Sequence, residues 1–189
     1  MLKKEKLNGK KLKNNIGDKK DKVFVRAYGR NGNNHRLYNE LYEFLFDRCI
    51  NIDPTNNSEP TKILSSLTSY VKTGRNANIR NYQVSHIFGK TKNPYAFCAP
   101  WNVVYIPKII DPFTGHESQS ELKQPIQNLY KGLMIKKYRE LILEYNQLMK
   151  DLEPKIKEYF DSNDRPDSNW KIFKKSVFEE FSIIPVDIK

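Results

Sequence analysis

Three histidines occur in this chain, His35, His86 and His116, and the last two bracket a stretch whose residue types could do chemistry. A neutral imidazole is a suitable general base, because its ordinary pKa lies close to working pH. An imidazole can also hold a divalent cation when oxygens complete the shell. Hydrolysis of a phosphodiester uses both capacities. A base activates water, and a cation relieves charge on the phosphorane and on the leaving 3′ oxygen. Between His86 and His116 stands Asn102, and Asp111 and Glu117 are oxygen donors close to His116. Arg75, Arg80, Lys90 and Lys92 surround His86, with no acid anywhere in residues 72–92. Cations so placed suit backbone phosphates.

These residues must be positioned by short elements. Tyr82 to Phe88 is rich in β-branched and aromatic residues and stops at Gly89, which predicts a strand ending near His86. A loop from Lys90 to Pro100 follows. Asn102 to Ile106 predicts a second strand, stopped by Pro107. Asp111-Pro112-Phe113-Thr114-Gly115 is a turn, and helical periodicity begins after it, placing His116 at the mouth of a helix.

The order His, then Asn at a strand start, then His at a helix start resembles the HNH, or ββα-metal, nuclease family. The resembling part covers residues 82–130. The resemblance implies that His86 is the general base, that Asn102 pins the loop between the strands, and that His116 binds a divalent metal. Ser85 occupies the slot that is commonly an acidic metal ligand, and the gap from Asn102 to His116 is longer than usual. The implied activity is metal-dependent DNA endonuclease cleavage of restriction or mobile-element type. The implied cofactor is Mg²⁺ first, with Mn²⁺, Co²⁺ or Ni²⁺ tolerated. The implied partner is duplex DNA, with a homodimer where both strands are cut.

Two other readings stand beside it. Asp111 followed by Glu121-Leu122-Lys123 has the residue order of a PD-(D/E)xK nuclease, which needs the last three on a strand. The chain can also be read as a non-catalytic basic nucleic-acid-binding module, whose metal site was lost when the acid became Ser85.

Composition bounds the class. Thirty-eight per cent hydrophobic and 12 per cent aromatic residues are enough for a packed core, which argues against global disorder. No apolar run approaches the length of a membrane span, so the expectation is a soluble, cytoplasmic protein without a membrane partner. Cys49 and Cys98 stand alone, which disfavours a disulfide framework and a structural zinc ribbon. The net charge of +11 is uneven: residues 1–22 hold nine Lys and three acids, and residues 72–92 hold five cations and no acid. The stretches 23–71 and 93–189 each balance to zero. This distribution fits a polyanion bound near His86, with a basic tail adding non-specific attraction.

The expected fold is α+β and mainly helical, with one ββα-metal (His-Me finger) hairpin–helix unit embedded between helices. Residues 1–22 read as a basic flexible arm and 23–189 as a single domain. Within that domain, 23–75 is a strand and helical cap, 76–130 the nuclease-like core, and 131–189 C-terminal helices. Val23 to Tyr28 predicts a strand. His35 to Ile50 predicts an amphipathic helix with Asn33 or Asn34 as cap, and residues 51–60 a polar loop. Ser58 caps a second helix, with Pro60 in its first turn, and Gly74 ends it. A long helix runs from Ser118 or Ser120 to Leu152, its stripe including Leu129, Tyr130, Leu133, Met134 and Tyr138; Pro154 breaks it or opens a short following helix ending near Phe160. A last helix is capped by Ser168 or Asn169, and Ile183-Ile184-Pro185 is extended.

Overall fold

The structure, a computed structural model, describes residues 22–27, 33–72, 74–110, 121–165 and 167–186. The fold is mixed and mainly helical. Among the described residues there are four helices and two small two-stranded sheets. In chain order they are β1 (Phe24–Val25), α1 (Asn33–Phe46), β2 (Asn51–Ile52), α2 (Ser58–Leu67), β3 (Tyr82–His86), β4 (Val103–Pro107), α3 (Lys123–Ser162) and α4 (Ser168–Glu180).

The main core lies between α1, the distal part of α3 and α4. From α1 it takes Tyr38, Leu41, Tyr42 and Leu45, at the i, i+3, i+4 spacing of a single helix face. From α3 it takes Ile142, Tyr145, Met149, Ile156 and Phe160, and from α4 Trp170, Phe173 and Val177. Phe173 meets Tyr38 edge-on, with ring centroids 5.0 Å apart, as ring quadrupoles favour. The segment after α4 closes this core through Asn146. Its side chain donates to the Ile184 carbonyl (2.8 Å) and accepts from the Ile184 N–H (2.7 Å), as a neighbouring strand would.

Several element bounds depart from expectation for identifiable reasons. The first strand shrinks to two residues because its partner is equally short. The partner, β2, pairs with it in parallel, Phe24 opposite Asn51 and Val25 opposite Ile52, inside the stretch expected to be loop. Helix α1 stops at Phe46, where Asp47 turns to φ 50°, so Cys49 is left exposed. Its first residue is Asn33, so Asn33 and Asn34 lie in the helix and not ahead of it. Helix α2 ends at Leu67, well before Gly74, and the Thr68 hydroxyl and N–H both reach the Leu64 carbonyl.

Helix α3 continues through Pro154 to Ser162 and changes direction at Tyr138 instead (φ −121°, ψ 24°). A proline removes one backbone donor and clashes with the preceding turn. Ile156, Tyr159 and Phe160 are buried just beyond it, and their packing holds the helix on course. Pro125 sits in the first turn, where its missing N–H has no partner to lose. The buried stripe of α3 starts only at Met134. Leu129 and Leu133 face outward, 61 % and 53 % exposed. Helix α4 is capped by Asp167, whose carboxylate accepts from the Trp170 N–H (2.7 Å).

The hairpin of β3 and β4 is antiparallel, with Tyr82 opposite Pro107 and His86 opposite Val103. One side packs on α2 through Leu64, Val84 and Val103. The connecting loop sends Ala96, Ala99 and Trp101 into the main core. The hairpin is therefore wedged between two packed bodies, and its loop end, where His86 sits, is fixed.

Candidate functional site

The loop between β3 and β4 is organised by two buried asparagines. Asn102 is fully buried. Its Oδ1 accepts from the Phe88 N–H (2.9 Å), and its Nδ2 donates to the carbonyls of Gly89 (2.8 Å) and Ala96 (3.0 Å). Its own carbonyl accepts from the Ile87 N–H (2.8 Å). One side chain thus ties both ends of the loop together, using its carboxamide as acceptor and double donor. Asn93, also fully buried, docks the loop onto the helices. Its Nδ2 lies within bonding reach of the Tyr145 hydroxyl (3.2 Å), the Met149 sulfur (3.1 Å) and the Glu180 carbonyl (3.1 Å), and its Oδ1 accepts from the Tyr95 N–H. Gly89 takes φ 65°, a region where a side chain is strained, and its carbonyl is thereby presented to Asn102.

His86 ends β3 against this loop. Its Nε2 lies 3.0 Å from the Phe97 carbonyl, and its ring stacks on the Phe97 ring, with centroids 5.1 Å apart and planes 9° apart. A carbonyl only accepts, so Nε2 carries the proton and Nδ1 keeps its lone pair. Burial lowers the His86 pKa to about 4. The Phe97 carbonyl pulls it up, Arg26 pushes it down and Asp53 pulls it up, but burial prevails. The imidazole is therefore neutral at pH 7 and oriented through Nε2.

A cleft of ≈ 140 Å³ opens beside it. Ser85, His86 and Gly89 line one wall, and Gln127, Tyr130 and Lys131, from the early turns of α3, line the other. The hairpin and α3 therefore face one another at the loop end. Ser85 lies opposite Val104 in the ladder, next to His86 in the cleft wall.

The cations expected to grip phosphate divide into two groups. Arg75 and Arg80 are exposed, but they precede Tyr82 at the far end of the hairpin. Four residues of strand separate that end from His86, about 13 Å. Lys90 and Lys92 turn inward and brace the fold. The Lys90 Nζ donates to the Glu179 carbonyl (2.9 Å) and the Ser182 hydroxyl (2.6 Å). The Lys92 Nζ donates to the Arg26 (2.8 Å) and Ala27 carbonyls, and the Lys92 N–H donates to the Glu180 carboxylate (2.9 Å). Burial brings both lysines down to about 8, against the pull of Glu180. Burial in turn holds the Glu180 carboxyl above its ordinary range. The structure gives these two lysines internal partners in place of an open phosphate track.

His116 lies outside the described residues, as do Asp111 and Glu117, so the expected metal ligand on the helix has no position here. Among the described residues no group of three His, Cys, Asp or Glu comes together as a metal shell. Glu121 sits in a turn and Lys123 opens α3, so this pair lacks the strand that a PD-(D/E)xK site needs. His35 lies in the first turn of α1, away from the hairpin in sequence and in element. Cys49 and Cys98 are unpaired, and burial pushes the Cys98 thiol well up.

Sequence reasoning missed three things. Asp53, fully buried, accepts from the N–H groups of Thr55 (2.9 Å), Ser58 (3.0 Å) and Glu59 (2.7 Å) and so caps α2 from a distance. Asn93 is the second: it lies in the loop expected over 90–100, where an Asn-Pro pair among aromatic residues signals a fixed turn. The third is the α3 wall of the cleft, whose charge is masked by the balance of residues 93–189 as a whole. Residues 122–139 alone hold Lys123, Lys131, Lys136, Lys137 and Arg139 with no acid.

Among the described residues, no helix is long and apolar enough to cross a membrane. No solved structure matches the chain. A protein of Pasteurella multocida (strain Pm70), described as uncharacterized protein PM1201, is 48% identical over 177 residues, which is 92% of this chain and 79% of the relative. A family model of the same description matches residues 2–186. The match spans nearly the whole chain, the hairpin and all four helices included, so the chain belongs to the family described as uncharacterised protein PM1201.

Proposed function

We propose that the protein is a metal-dependent endonuclease that hydrolyses phosphodiester bonds in DNA, with His86 as its general base. The observation that carries this reading is geometric: His86 is held through Nε2 by the Phe97 carbonyl and lines a cleft, beside a loop whose two ends Asn102 ties together. A base held in one tautomer and one direction costs little reorganisation when it takes a proton. In this reading a water attacks phosphorus, its proton passes to His86 Nδ1, and the 3′ oxygen leaves. Asn102 keeps the loop, and hence the Phe97 carbonyl, in register with β3, so it positions the base without touching substrate. His116 and the Ser85 hydroxyl are the residues that would hold a divalent ion, whose part is charge relief on the phosphorane.

A second reading has its own support. Ser85 supplies a neutral oxygen in the cleft wall where a carboxylate would bind a cation more strongly. On that reading the protein binds nucleic acid and cuts nothing. Supercoiled plasmid incubated with the protein in Mg²⁺, in Mn²⁺ and in EDTA separates the two. Nicked or linear product in either metal but not in EDTA is the expected result. Retarded but uncut plasmid in every condition supports the binding module.

A further inference from the structure

The cleft beside His86 has two walls, the hairpin that carries His86 and the early turns of α3. The α3 wall presents Gln127, Tyr130 and Lys131, at positions i, i+3 and i+4, which share one helix face. All three are half-buried. Among the described residues that line the cleft, Lys131 is the one lysine or arginine, and none is a carboxylate. The helix around it carries five cations and no acid over residues 122–139. A helical segment of one sign beside a concave site raises the local concentration of the opposite charge. Lys90 and Lys92, the loop cations nearest His86 in sequence, are bonded to the end of α4 and to the residues that follow β1, so the α3 side supplies the cation at the cleft.

We propose that Lys131, Gln127 and Tyr130 form a phosphate site for a nucleic-acid backbone, seating one phosphodiester beside His86. The Lys131 ammonium donates a charge-assisted bond to a non-bridging oxygen. The Gln127 carboxamide donates a second bond one helical turn away. Tyr130, between them on the same face, offers its ring to a sugar or base. The site rests on the reading that the cleft takes a phosphodiester, and it adds the residues that bind one. Lys136 is five residues further on, about 140° around the helix, and is exposed. It shares the field of the segment but not the cleft, and so serves as an internal control.

The test is binding of a short fluorescein-labelled DNA duplex in EDTA, followed by anisotropy over a series of salt concentrations. The proteins compared are the full chain, Lys131→Ala, Lys131→Arg and Lys136→Ala. Lys131→Ala is expected to weaken binding about tenfold at low salt and to flatten the slope of log affinity against log salt by about one. Lys131→Arg should restore both, and Lys136→Ala should lose much less than Lys131→Ala. Gln127→Glu should weaken binding more than Gln127→Ala, since a carboxylate would then face the phosphate. Equal losses for Lys131→Ala and Lys136→Ala would overturn the site, leaving only a diffuse basic field. Failure of the full chain to bind the duplex would overturn it as well. Binding that depends on Lys131, in a protein that cuts no DNA in any metal, would uphold the site and sink only the nuclease reading.

Discussion

Replacing Asn102 by Ala removes three side-chain hydrogen bonds at a fully buried position: one from the Phe88 N–H and two to the carbonyls of Gly89 and Ala96. Each such bond contributes about 1 kcal/mol net, and a buried group left without its partner adds a desolvation cost of similar size. The expected loss is therefore about 3–5 kcal/mol, a large share of the roughly 5–15 kcal/mol that holds a domain together. Asn102→Asp gives a sharper test. The new carboxyl keeps an acceptor for the Phe88 N–H but turns its second oxygen toward two carbonyls. Its ionised form is disfavoured in the fold, so its folded pKa is raised above the unfolded value. A raised carboxyl pKa costs stability above the unfolded pKa, and the cost is relieved as pH falls. The deficit of Asn102→Asp should thus shrink between pH 7 and pH 5, while that of Asn102→Ala stays constant. Urea unfolding followed by the fluorescence of the buried Trp101 and Trp170 measures both. A loss below about 0.5 kcal/mol for Asn102→Ala would refute the role of this side chain as the pin of the loop.

Three further outcomes are expected. His86 is depressed to about 4 from an ordinary 6.5, so the unfolded chain binds the extra proton between those values and stability rises with pH across that window. The difference between wild type and His86→Gln in pH-dependent unfolding should show this rise, up to about 3 kcal/mol, and a flat difference would contradict it. Asp53→Ala should lose about 2 kcal/mol or more, because three N–H groups ahead of and within α2 lose their acceptor, whereas Asp53→Asn should lose less. Thermal unfolding of the two variants ranks them. Removing residues 1–22, with nine Lys and three acids, should weaken duplex binding equally for all sequences and reduce its salt dependence. Unchanged affinity and slope would show that the basic tail does not contact nucleic acid.

The hairpin was legible because its signals are local. Runs of β-branched and aromatic residues mark both strands, although the first ends at His86 and not Phe88, and the second starts after Asn102 and takes in Pro107, which was expected to stop it. The stripe of α1 was legible for the same reason, since Tyr38, Leu41, Tyr42 and Leu45 all repeat on one face. Hidden from the sequence were the features set by distant partners. Lys90 and Lys92 look like phosphate ligands until distant segments are placed against the loop: the Glu179 carbonyl and the Ser182 hydroxyl then take the Lys90 ammonium, and the Arg26 and Ala27 carbonyls take that of Lys92. Asp53 looks like a loop residue until its carboxylate meets the start of α2. Pro154 looks like a helix breaker until Ile156, Tyr159 and Phe160 are buried beyond it. In each case tertiary packing overrode a correct local preference.

Whether His86 is the base of a phosphodiester hydrolysis is decided by cleavage of supercoiled plasmid by His86→Ala across a metal titration. Duplex binding is measured in parallel, so that a folded, binding-competent variant is being compared. The wild-type protein is expected to cut in Mg²⁺ or Mn²⁺, and His86→Ala to be slower by about 10²–10⁴-fold at every metal concentration while it still binds the duplex. His116→Ala, by contrast, should be partly rescued by excess Mn²⁺. Cleavage by His86→Ala at the wild-type rate would remove His86 from the chemistry.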